Sequence, residues 1–525
     1  MSVRSGRLRS EAKTSLVGRL LSAVAVLGAL AALGVFLWVV ARRIAYPYDL
    51  EWMESGMMCH ALRLLQGQRI YVPPSVDFIP HLYTPGYPLL LAGLGRLIGD
   101  VTYLAARLVS TLSFLGALGT GGYLAWREGG SRAAALCALA LPVATFPQTG
   151  GFFDLARSDS LQLFLTVGGA ALAWYGQKSH PRMALAALVL VLGFFTKQTA
   201  APLIAVIGVT LLVLVPRRGP VLTFAAVGVT SFALLLLWQN RASDGWFWTY
   251  IFRLHQGHAF FTRRAFLETP RVLFGLLGAG GLLIPWAAIA YATGRPSEAK
   301  GRGLLFLFAL ALGGFGASCV GFGTQWAHTN AYIPGVFFPA IAMGAAAGRL
   351  LKRPAARPVL TSALRRARAL REGLVLGLLL ASLVPQLVRL RPQAHVPTAA
   401  DRAAGDAVIQ ILREAPGEVL IPFHPFYAHL AGKRTYLHRM GVWDVRGTVA
   451  GPVRGLYAAI LERRFARIVF DEKVEYTWAD WPDVLSHYRI TQRFVGPRTF
   501  EGADTRPGLV LEPIPPPAAA PEREP

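Results

Sequence analysis

The chain has 525 residues, of which 54% are hydrophobic and 16% are charged. Apolar runs of about 18 or more residues recur along it, each long enough to cross a bilayer as a helix, so the composition excludes a soluble globular protein. The formal net charge of +24 does not indicate nucleic-acid binding, because most lysines and arginines lie in short loops between apolar runs, where the positive-inside rule accounts for them.

The apolar runs predict an α-helical polytopic membrane protein with about eleven transmembrane helices. The first run, 20–40, follows the basic segment 1–19 and has no small-residue cleavage site after it, which favours a retained helix over a removed signal peptide. The remaining predicted spans are 101–124, 133–149, 161–174, 183–195, 200–215, 221–238, 272–292, 303–319, 331–351 and 373–390.

The charges between the spans predict the orientation. With the amino terminus in the cytoplasm, the basic loops at 127–132, 178–182, 217–218, 295–302 and 352–371 all fall on the cytoplasmic side. We therefore predict a multi-pass protein of the inner (plasma) membrane, with its carboxyl terminus on the periplasmic or extracellular side.

The outer side then receives the loop 41–100 and everything after Arg391. Within the loop, 87–99 is apolar but too short to cross comfortably, which predicts an interfacial or re-entrant helix.

The chain divides into four predicted parts. A cytoplasmic amino terminus at 1–19 precedes a transmembrane domain at 20–390, an outer α/β domain at 391–512 and a disordered, proline-rich tail at 513–525. The α/β prediction rests on helical patterns and β-like runs at 399–413, 418–422, 456–465 and 466–470.

Three carboxylates, Asp49, Glu51 and Glu54, follow the first span at the predicted rim of the bilayer. Acids placed where the dielectric constant falls favour chemistry or ion handling, and a carboxylate there can accept a proton from a hydroxyl or amine nucleophile. The alternative is that they cap a helix, whose first turn favours negative charge.

Two further charged residues fall on the same predicted side. Asp159 directly precedes an apolar run, where it is either an N-cap or part of a site. Lys197 lies at the outer end of another span, where the positive-inside rule predicts no lysine, and a lone cation there suits an anionic group such as a phosphate.

The loop 239–271 carries Arg253, His255 and His258 among several aromatic residues. One interpretation is an interfacial aromatic belt with cations touching lipid phosphates. The other is a site for a carbohydrate phosphate, with aromatic rings on the sugar and cations on the phosphate.

Nothing in the sequence requires a metal. The two histidines of that loop have no third ligand within sequence reach, and the three cysteines, Cys59, Cys137 and Cys319, are far apart. No zinc site or disulfide framework is predicted, although a divalent ion beside a departing phosphate remains an option.

Five short motifs follow one another on the predicted outer side. They are DLE at 49–51, LQGQRIY at 65–71, YTPGYPL at 83–89, ARSDSL at 156–161 and FTKQT at 195–199. Over about residues 20–350 this pattern resembles the membrane-integral C-type glycosyltransferases of the protein-mannosyltransferase and aminoarabinose-transferase superfamily.

The resemblance implies a C-type glycosyltransferase fold, a polyprenyl-phosphate-linked sugar as donor, and an acceptor on the outer side that is a lipid, a glycan or a protein. It also implies an inverting displacement with a carboxylate of the first loop as base. Glu51 best matches that carboxylate and Asp49 is the alternative, because the usual adjacent Asp-Glu pair is split here by Leu50. Asp159 is implied as an orienting or metal-positioning acid.

The candidates for substrate binding lie on the same rim. They are Lys197, Arg253, Arg157, Arg107, His255, His328 and Tyr332. Lys197 and Arg253 are the first candidates for the phosphate, and for His328 and Tyr332 packing is the alternative.

Two other classes of function compete with a transferase. A transporter or flippase would couple the rim acids to substrate movement, but it predicts charged residues deep inside several spans, and these spans are nearly free of acids. A noncatalytic membrane scaffold would use the outer α/β domain to bind a partner.

Overall fold

The computed structural model is mostly helical and describes residues 15–293, 298–352, 362–473, 481 and 483–515. Most of the basic segment 1–19, the centre of the predicted cytoplasmic loop 352–371 and most of the tail 513–525 lie outside these residues. The prediction of a disordered tail is therefore not tested.

Between residue 15 and the loop 243–245, the structure shows nine α-helices. They are α1 (Leu16–Arg43), α2 (Met53–Leu65), α3 (Gly86–Ile98), α4 (Tyr103–Gly129), α5 (Arg132–Ala144), α6 (Asp159–Gly176), α7 (His180–Thr196), α8 (Ala201–Leu214) and α9 (Arg218–Ala242).

Seven further α-helices follow among the described residues of the apolar part. They are α10 (Trp246–Trp248), α11 (Leu254–Gln256), α12 (Thr269–Leu277), α13 (Leu283–Ala292), α14 (Glu298–Gly323), α15 (Ile333–Lys352) and α16 (Ser362–Arg389). Every predicted span contains a helix, and the span 272–292 consists of two, α12 and α13, joined by a 3₁₀ turn at Gly278–Leu282.

Within the described residues, six helical segments are long and apolar enough to cross a membrane by themselves. They are Leu16–Arg43, Tyr103–Gly129, Arg218–Ala242, Arg264–Ala292, Gly301–Gly323 and Thr329–Lys352, and a bent pair that includes α16 would make seven. A multi-pass membrane protein is thus confirmed. The count of about eleven depends on shorter helices such as α5, α7 and α8, and it stays a prediction.

Small residues let the central helices approach closely. A Cβ added to Gly348 of α15 would lie 2.8 Å from the carbonyl carbon and oxygen of Gly129 in α4, and one added to Gly344 would lie 3.1 Å from the Cβ of Ala138 in α5. Membrane helices associate by such contacts, because lipid gives little hydrophobic drive between them.

The outer loop 41–100 carries α2 and α3. Helix α3 confirms the short helix predicted at 87–99 and ends at Gly99, whose φ of 95° is the left-handed conformation that glycine adopts most easily. At its other end, a Cβ on Gly86 would lie 2.6 Å from the carbonyl oxygen of Phe195, so the start of α3 is pressed against the end of α7. This contact brings two of the sequence motifs together.

The carboxyl-terminal part is a small α/β domain, as predicted. Helix α17 (Ala399–Arg413) starts with a capping box between Thr398 and Asp401. Four strands, β1 (Glu418–Leu420), β2 (Phe465–Asp471), β3 (Tyr488–Arg493) and β4 (Pro507–Pro513), form one sheet in the order β1-β2-β4-β3. The pair β1–β2 is parallel and the other pairs are antiparallel.

Short helices connect the strands of this domain. They are α18 (Phe426–Leu430), α19 (Arg439–Val445), α20 (Leu456–Leu461) and α21 (Val484–His487). Sequence patterns predicted β1, β2 and α20 but missed β3 and β4, of which β3 is exposed along nearly its whole length and lacks an apolar face.

The α/β domain packs directly on the outer loop. Arg43, the last residue of α1, pairs with Asp154 at 2.6 Å and with Glu501 of the domain. Arg43 and Asp154 are fully buried. These ion pairs join three distant parts of the chain, and the candidate site lies beside them.

Candidate active site

Glu51 lies in the short turn between α1 and α2, and only 2% of it is exposed. Its Oε2 accepts a hydrogen bond from Nη1 of Arg157 at 2.7 Å, and the backbone N–H of Met53 also donates to it. Burial raises the pKa of Glu51 to about 7, although the positive charge of Arg157 opposes that rise. A carboxylate with a pKa near neutrality is suited to accept and release a proton.

Arg157 connects Glu51 to an aromatic group. Its Nη2 donates to the hydroxyl of Tyr83 at 3.1 Å, and its guanidinium carbon lies 5.3 Å from the centre of the Phe152 ring. Tyr83 belongs to the motif at 83–89 that precedes α3. Two of the sequence motifs thus meet at one guanidinium.

Lys197 and Asp159 form a second ion pair, with Nζ 2.6 Å from Oδ1. Asn330 donates to the same oxygen at 2.9 Å, while Oδ2 of Asp159 is buried without a hydrogen-bond partner among the described residues. The Lys197 ammonium lies 5.5 Å from the centre of the Tyr83 ring, and the Arg157 guanidinium also lies 5.5 Å from it. Tyr83 therefore joins the two ion pairs into one group.

Asp49 has a different environment. Its Oδ1 accepts a hydrogen bond from Tyr103 at 2.6 Å, and its Oδ2 accepts one from Ser55 at 2.6 Å and lies 2.7 Å from Nδ1 of His424. Burial raises the pKa of Asp49, and the hydrogen bond to His424 opposes that rise. Both carboxylate oxygens are therefore occupied by protein groups.

Glu54 is structural, but it is not an exposed capping acid. It is fully buried, it pairs with Arg107 at 2.7 Å, and it accepts the backbone N–H groups of Leu50 and Ala156. Burial disfavours its charge, but the Arg107 charge and these hydrogen bonds more than compensate and lower the pKa of Glu54.

The same contacts correct the prediction that Arg107 binds substrate. Its donors reach both oxygens of Glu54 and the carbonyl oxygens of Arg43, Tyr46 and Tyr48, and its side chain is fully buried. No donor is left for a phosphate, so Arg107 is not available to bind one. The sequence alone could not show that Glu54 occupies this arginine.

The remaining substrate-binding candidates have different surroundings. Nε2 of His255 lies 2.8 Å from Nε2 of Gln198, next to Lys197 in the chain, whereas Arg253 is exposed. The exposed His328 has its ring centre 5.7 Å from that of Phe152.

Tyr332 is buried, and its ring centre lies 4.6 Å from that of Phe322, which agrees with the packing alternative.

Sequence reasoning gave no site role to Tyr83 and Tyr103, although Tyr83 was visible inside a motif. His424 lies in a stretch rich in histidine and aromatic residues, for which the sequence favours an ordinary domain loop over an acceptor-facing patch. Among the described residues, no three His, Cys, Asp or Glu side chains are grouped so as to hold a metal ion.

No family model and no curated protein matches the sequence. The fold is similar to that of solved membrane glycosyltransferases. ArnT from Cupriavidus metallidurans bound to undecaprenyl phosphate matches with a TM-score of 0.54 and 14% identity over 93% of this chain and 98% of that one. Archaeal oligosaccharyltransferase AglB from Archaeoglobus fulgidus, in complex with an inhibitory peptide and a dolichol-phosphate, matches with a TM-score of 0.51 and 12% identity over 90% of this chain and 72% of that one. The chain therefore has the C-type glycosyltransferase fold that the motifs indicate.

Proposed function

We propose that the protein transfers a sugar from a polyprenyl-phosphate donor to an acceptor on the outer side of the inner membrane, with Glu51 as the catalytic base. The observation that carries this proposal is the group formed by Glu51, Arg157, Tyr83, Lys197 and Asp159. It places a carboxylate with a pKa of about 7 beside two cations, on a fold whose solved examples hold undecaprenyl phosphate or dolichol-phosphate.

The proposed reaction is a single inverting displacement. Glu51 removes the proton from a hydroxyl or amine of the acceptor as that atom attacks the anomeric carbon of the sugar. The bond between the anomeric carbon and the phosphate oxygen breaks, and its electron pair stays on that oxygen. The products are the glycosylated acceptor and a polyprenyl phosphate, with the proton on Glu51.

The cations have two roles in this scheme. Arg157 and Lys197 lie on the same aromatic ring, so together they offer positive charge to the phosphate as its negative charge increases. Each is held beforehand by an acid, Glu51 or Asp159, so neither must be reoriented far when the donor binds. Arg253 is a further candidate for the lipid phosphate because it is exposed.

Glu51 is preferred over Asp49 as base because of their hydrogen bonds. Asp49 already accepts from Tyr103 and Ser55 and pairs with His424, so most of its hydrogen-bonding capacity is used by protein groups. Glu51 shares one oxygen with Arg157, the residue that also faces the proposed phosphate site.

The test is transfer by the purified full-length protein from a panel of undecaprenyl phosphates, each carrying one radiolabelled hexose, pentose or aminopentose, with cell membranes as the acceptor source. Glu51→Gln should lower the turnover about 10²- to 10⁴-fold, the usual contribution of a general base. Glu462→Gln, at an exposed glutamate of the α/β domain, is the matched control and should leave it unchanged.

Full activity in a Glu51→Gln, Asp49→Asn double variant would remove both residues as base. Movement of the labelled lipid across a liposome membrane with no covalent change would replace the transferase by a transporter.

A further inference from the structure

The α/β domain contacts three consecutive residues of the turn between α1 and α2, which carries Glu51 and is called the catalytic turn here. Asp49 meets His424 and Tyr427, the carbonyl of Leu50 accepts the N–H groups of Phe500 and Glu501, and Glu51 is covered by Gly502. The five domain residues in these contacts fall in two separate parts of the domain, the segment before α18 together with α18 itself, and the loop between β3 and β4.

We propose that the α/β domain completes the active site, and that its His424 is a positioning residue that fixes Asp49 and, through it, the turn that carries Glu51. This inference rests on the proposed function. It assigns the domain to the transferase machinery itself, not to an accessory role.

His424 is fully buried, and its firm hydrogen bond is on the side of Asp49. Its Nδ1 lies 2.7 Å from Asp49, whereas its Nε2 has no hydrogen-bond partner among the described residues and lies 3.7 Å from an oxygen of Asp471 in β2. Its ring stacks on Tyr427, with 5.1 Å between ring centres, and the Tyr427 hydroxyl accepts the backbone N–H of Asp49 at 3.0 Å. The side chain and the backbone of Asp49 are thus bound by two neighbours from one turn of the domain.

Asp49 connects two parts of the molecule. Ser55 of α2 and Tyr103 of α4 donate to its carboxylate, and His424 approaches it from the α/β domain. A carboxylate with three such contacts is suited to support the geometry of the turn, and a displacement of about 1 Å at a reacting group can cost about 10²-fold in rate.

The second contact lies over Glu51 itself. Leu50 O accepts hydrogen bonds at 2.8 Å from Phe500 and 3.0 Å from Glu501, and Gly502 follows with a φ of 71°. A Cβ on Gly502 would lie 2.7 Å from Cγ of Glu51, so only glycine fits. The loop between β3 and β4 therefore forms one wall around Glu51.

His424 also acts on Glu51 through charge. Burial disfavours a charged imidazole, but the hydrogen bond to Asp49 and the charges of Asp471, Asp49 and Glu51 raise the pKa of His424 above its ordinary value. The other titratable groups that face it are Tyr427 and His438, and His438 is kept neutral because burial lowers its pKa to about 3. A protonated His424 is a cation that favours the ionised form of Glu51.

The experiment compares His424→Gln with His429→Gln in the full-length protein. His429 is the matched control, because it also pairs with an aspartate, Asp100 at 2.9 Å, but at the surface and away from the catalytic turn. Turnover, donor KM and the pH–rate profile are measured with an undecaprenyl-phosphate donor that the wild type uses.

His424→Gln should lower kcat about 10²-fold with little change in donor KM. Loss of the cation should also move the acidic limb of the pH–rate profile upward by about one pH unit, which a purely structural defect would not do. His429→Gln should match the wild type in all three quantities.

A second variant covers the case in which His424→Gln does not fold, as judged by gel filtration in detergent. Asp471→Asn keeps the side-chain volume, removes the carboxylate that favours a protonated His424, and should lower kcat by a smaller factor than His424→Gln. Wild-type kcat and an unshifted limb in whichever variant folds would overturn the inference while the proposed function stands. A wild type that is inactive with every donor would overturn the proposed function and this inference with it.

Discussion

Three acids within six residues have three different roles, and their partners decide which. Glu54 is neutralised by Arg107, Asp49 is held by three donors, and Glu51 keeps a pKa of about 7 beside Arg157. The chemical difference between these carboxylates is small. The local environment of each carboxylate therefore determines its role: Glu51 can act as a base, whereas Asp49 and Glu54 stabilise the structure.

The raised pKa of Glu51 predicts the pH dependence of transfer. A base must be ionised to accept a proton, so below about pH 7 the protonated fraction grows and kcat/KM should fall tenfold per pH unit. The measurement is the pH–rate profile of the wild type between pH 5 and pH 9. An acidic limb near the ordinary glutamate pKa of about 4.3 would contradict this assignment.

Asp444 in α19 predicts a pH dependence of stability. It is buried, its Oδ1 has no partner among the described residues, and burial raises its pKa to about 8. Folding thus favours the protonated form, so the stability from this group is full below about pH 4 and is lost as the pH rises to about 8.

Asp444→Asn should remove most of that loss. The melting temperature of the wild type should fall more between pH 5 and pH 8 than that of the variant, as followed by thermal unfolding in detergent. Asp504→Asn, at an exposed aspartate of the same domain, should keep the wild-type slope. Equal slopes in all three proteins would argue against a buried, protonated Asp444.

At the scale of elements, buried ion pairs and glycine contacts position the helices around the site. The Glu54–Arg107 pair ties α2 to α4, and Gly86 sets α3 against the end of α7. Because these contacts are buried, they hold the outer loop in place more firmly than surface ion pairs would.

Replacing Arg107 by methionine should therefore be costly. The variant leaves the carboxylate of Glu54 buried without its cation, and the free energy of unfolding should fall by about 3–5 kcal/mol. Arg69→Met, at the exposed Arg69–Asp244 pair, is the control and should leave the denaturation midpoint unchanged. Equal midpoints for both variants would show that the buried pair contributes nothing.

The crossing of α4 and α15 offers a second test. Gly348→Ala places a Cβ 2.8 Å from the backbone of Gly129, and we expect a loss of about 1–3 kcal/mol from overpacking. Gly377→Ala in α16 meets no atom within 4 Å and should be neutral or slightly stabilising, because alanine is the better helix former. The measurement is the melting temperature of both variants. A Gly348→Ala variant as stable as the wild type would mean that α4 and α15 can move apart without loss of stability.

At the scale of the whole molecule, the proposed function requires the site and the α/β domain to face the outside. The positive-inside pattern predicts this orientation. The contacts between the α/β domain and the loop 41–100 keep the candidate site and the domain on the same side of the membrane.

Cysteine labelling tests the orientation. In intact cells a membrane-impermeant maleimide should label Arg69→Cys in the outer loop but should label Lys178→Cys only after permeabilisation. Both positions are exposed, whereas the three native cysteines are buried and should give little background. Labelling of Lys178→Cys alone in intact cells would reverse the orientation and contradict the proposed outer-side reaction.

Features that depend on local composition can be predicted from the amino-acid sequence. Apolar runs identified the helices, the pattern at 399–413 identified α17, and short motifs marked Glu51, Asp159 and Lys197. Hydropathy and turn chemistry are properties of neighbouring residues, so they can be read without knowing the fold.

Which charged residues form pairs depends on how distant segments pack together. Arg157 pairs with Glu51 across 106 residues, Arg107 with Glu54 across 53, and His424 with Asp49 across 375. Whether an arginine can bind a phosphate or is consumed by a buried acid depends on which helices pack together, and so does the pKa of each carboxylate. Burial and partner charge act through space, and no local pattern encodes them.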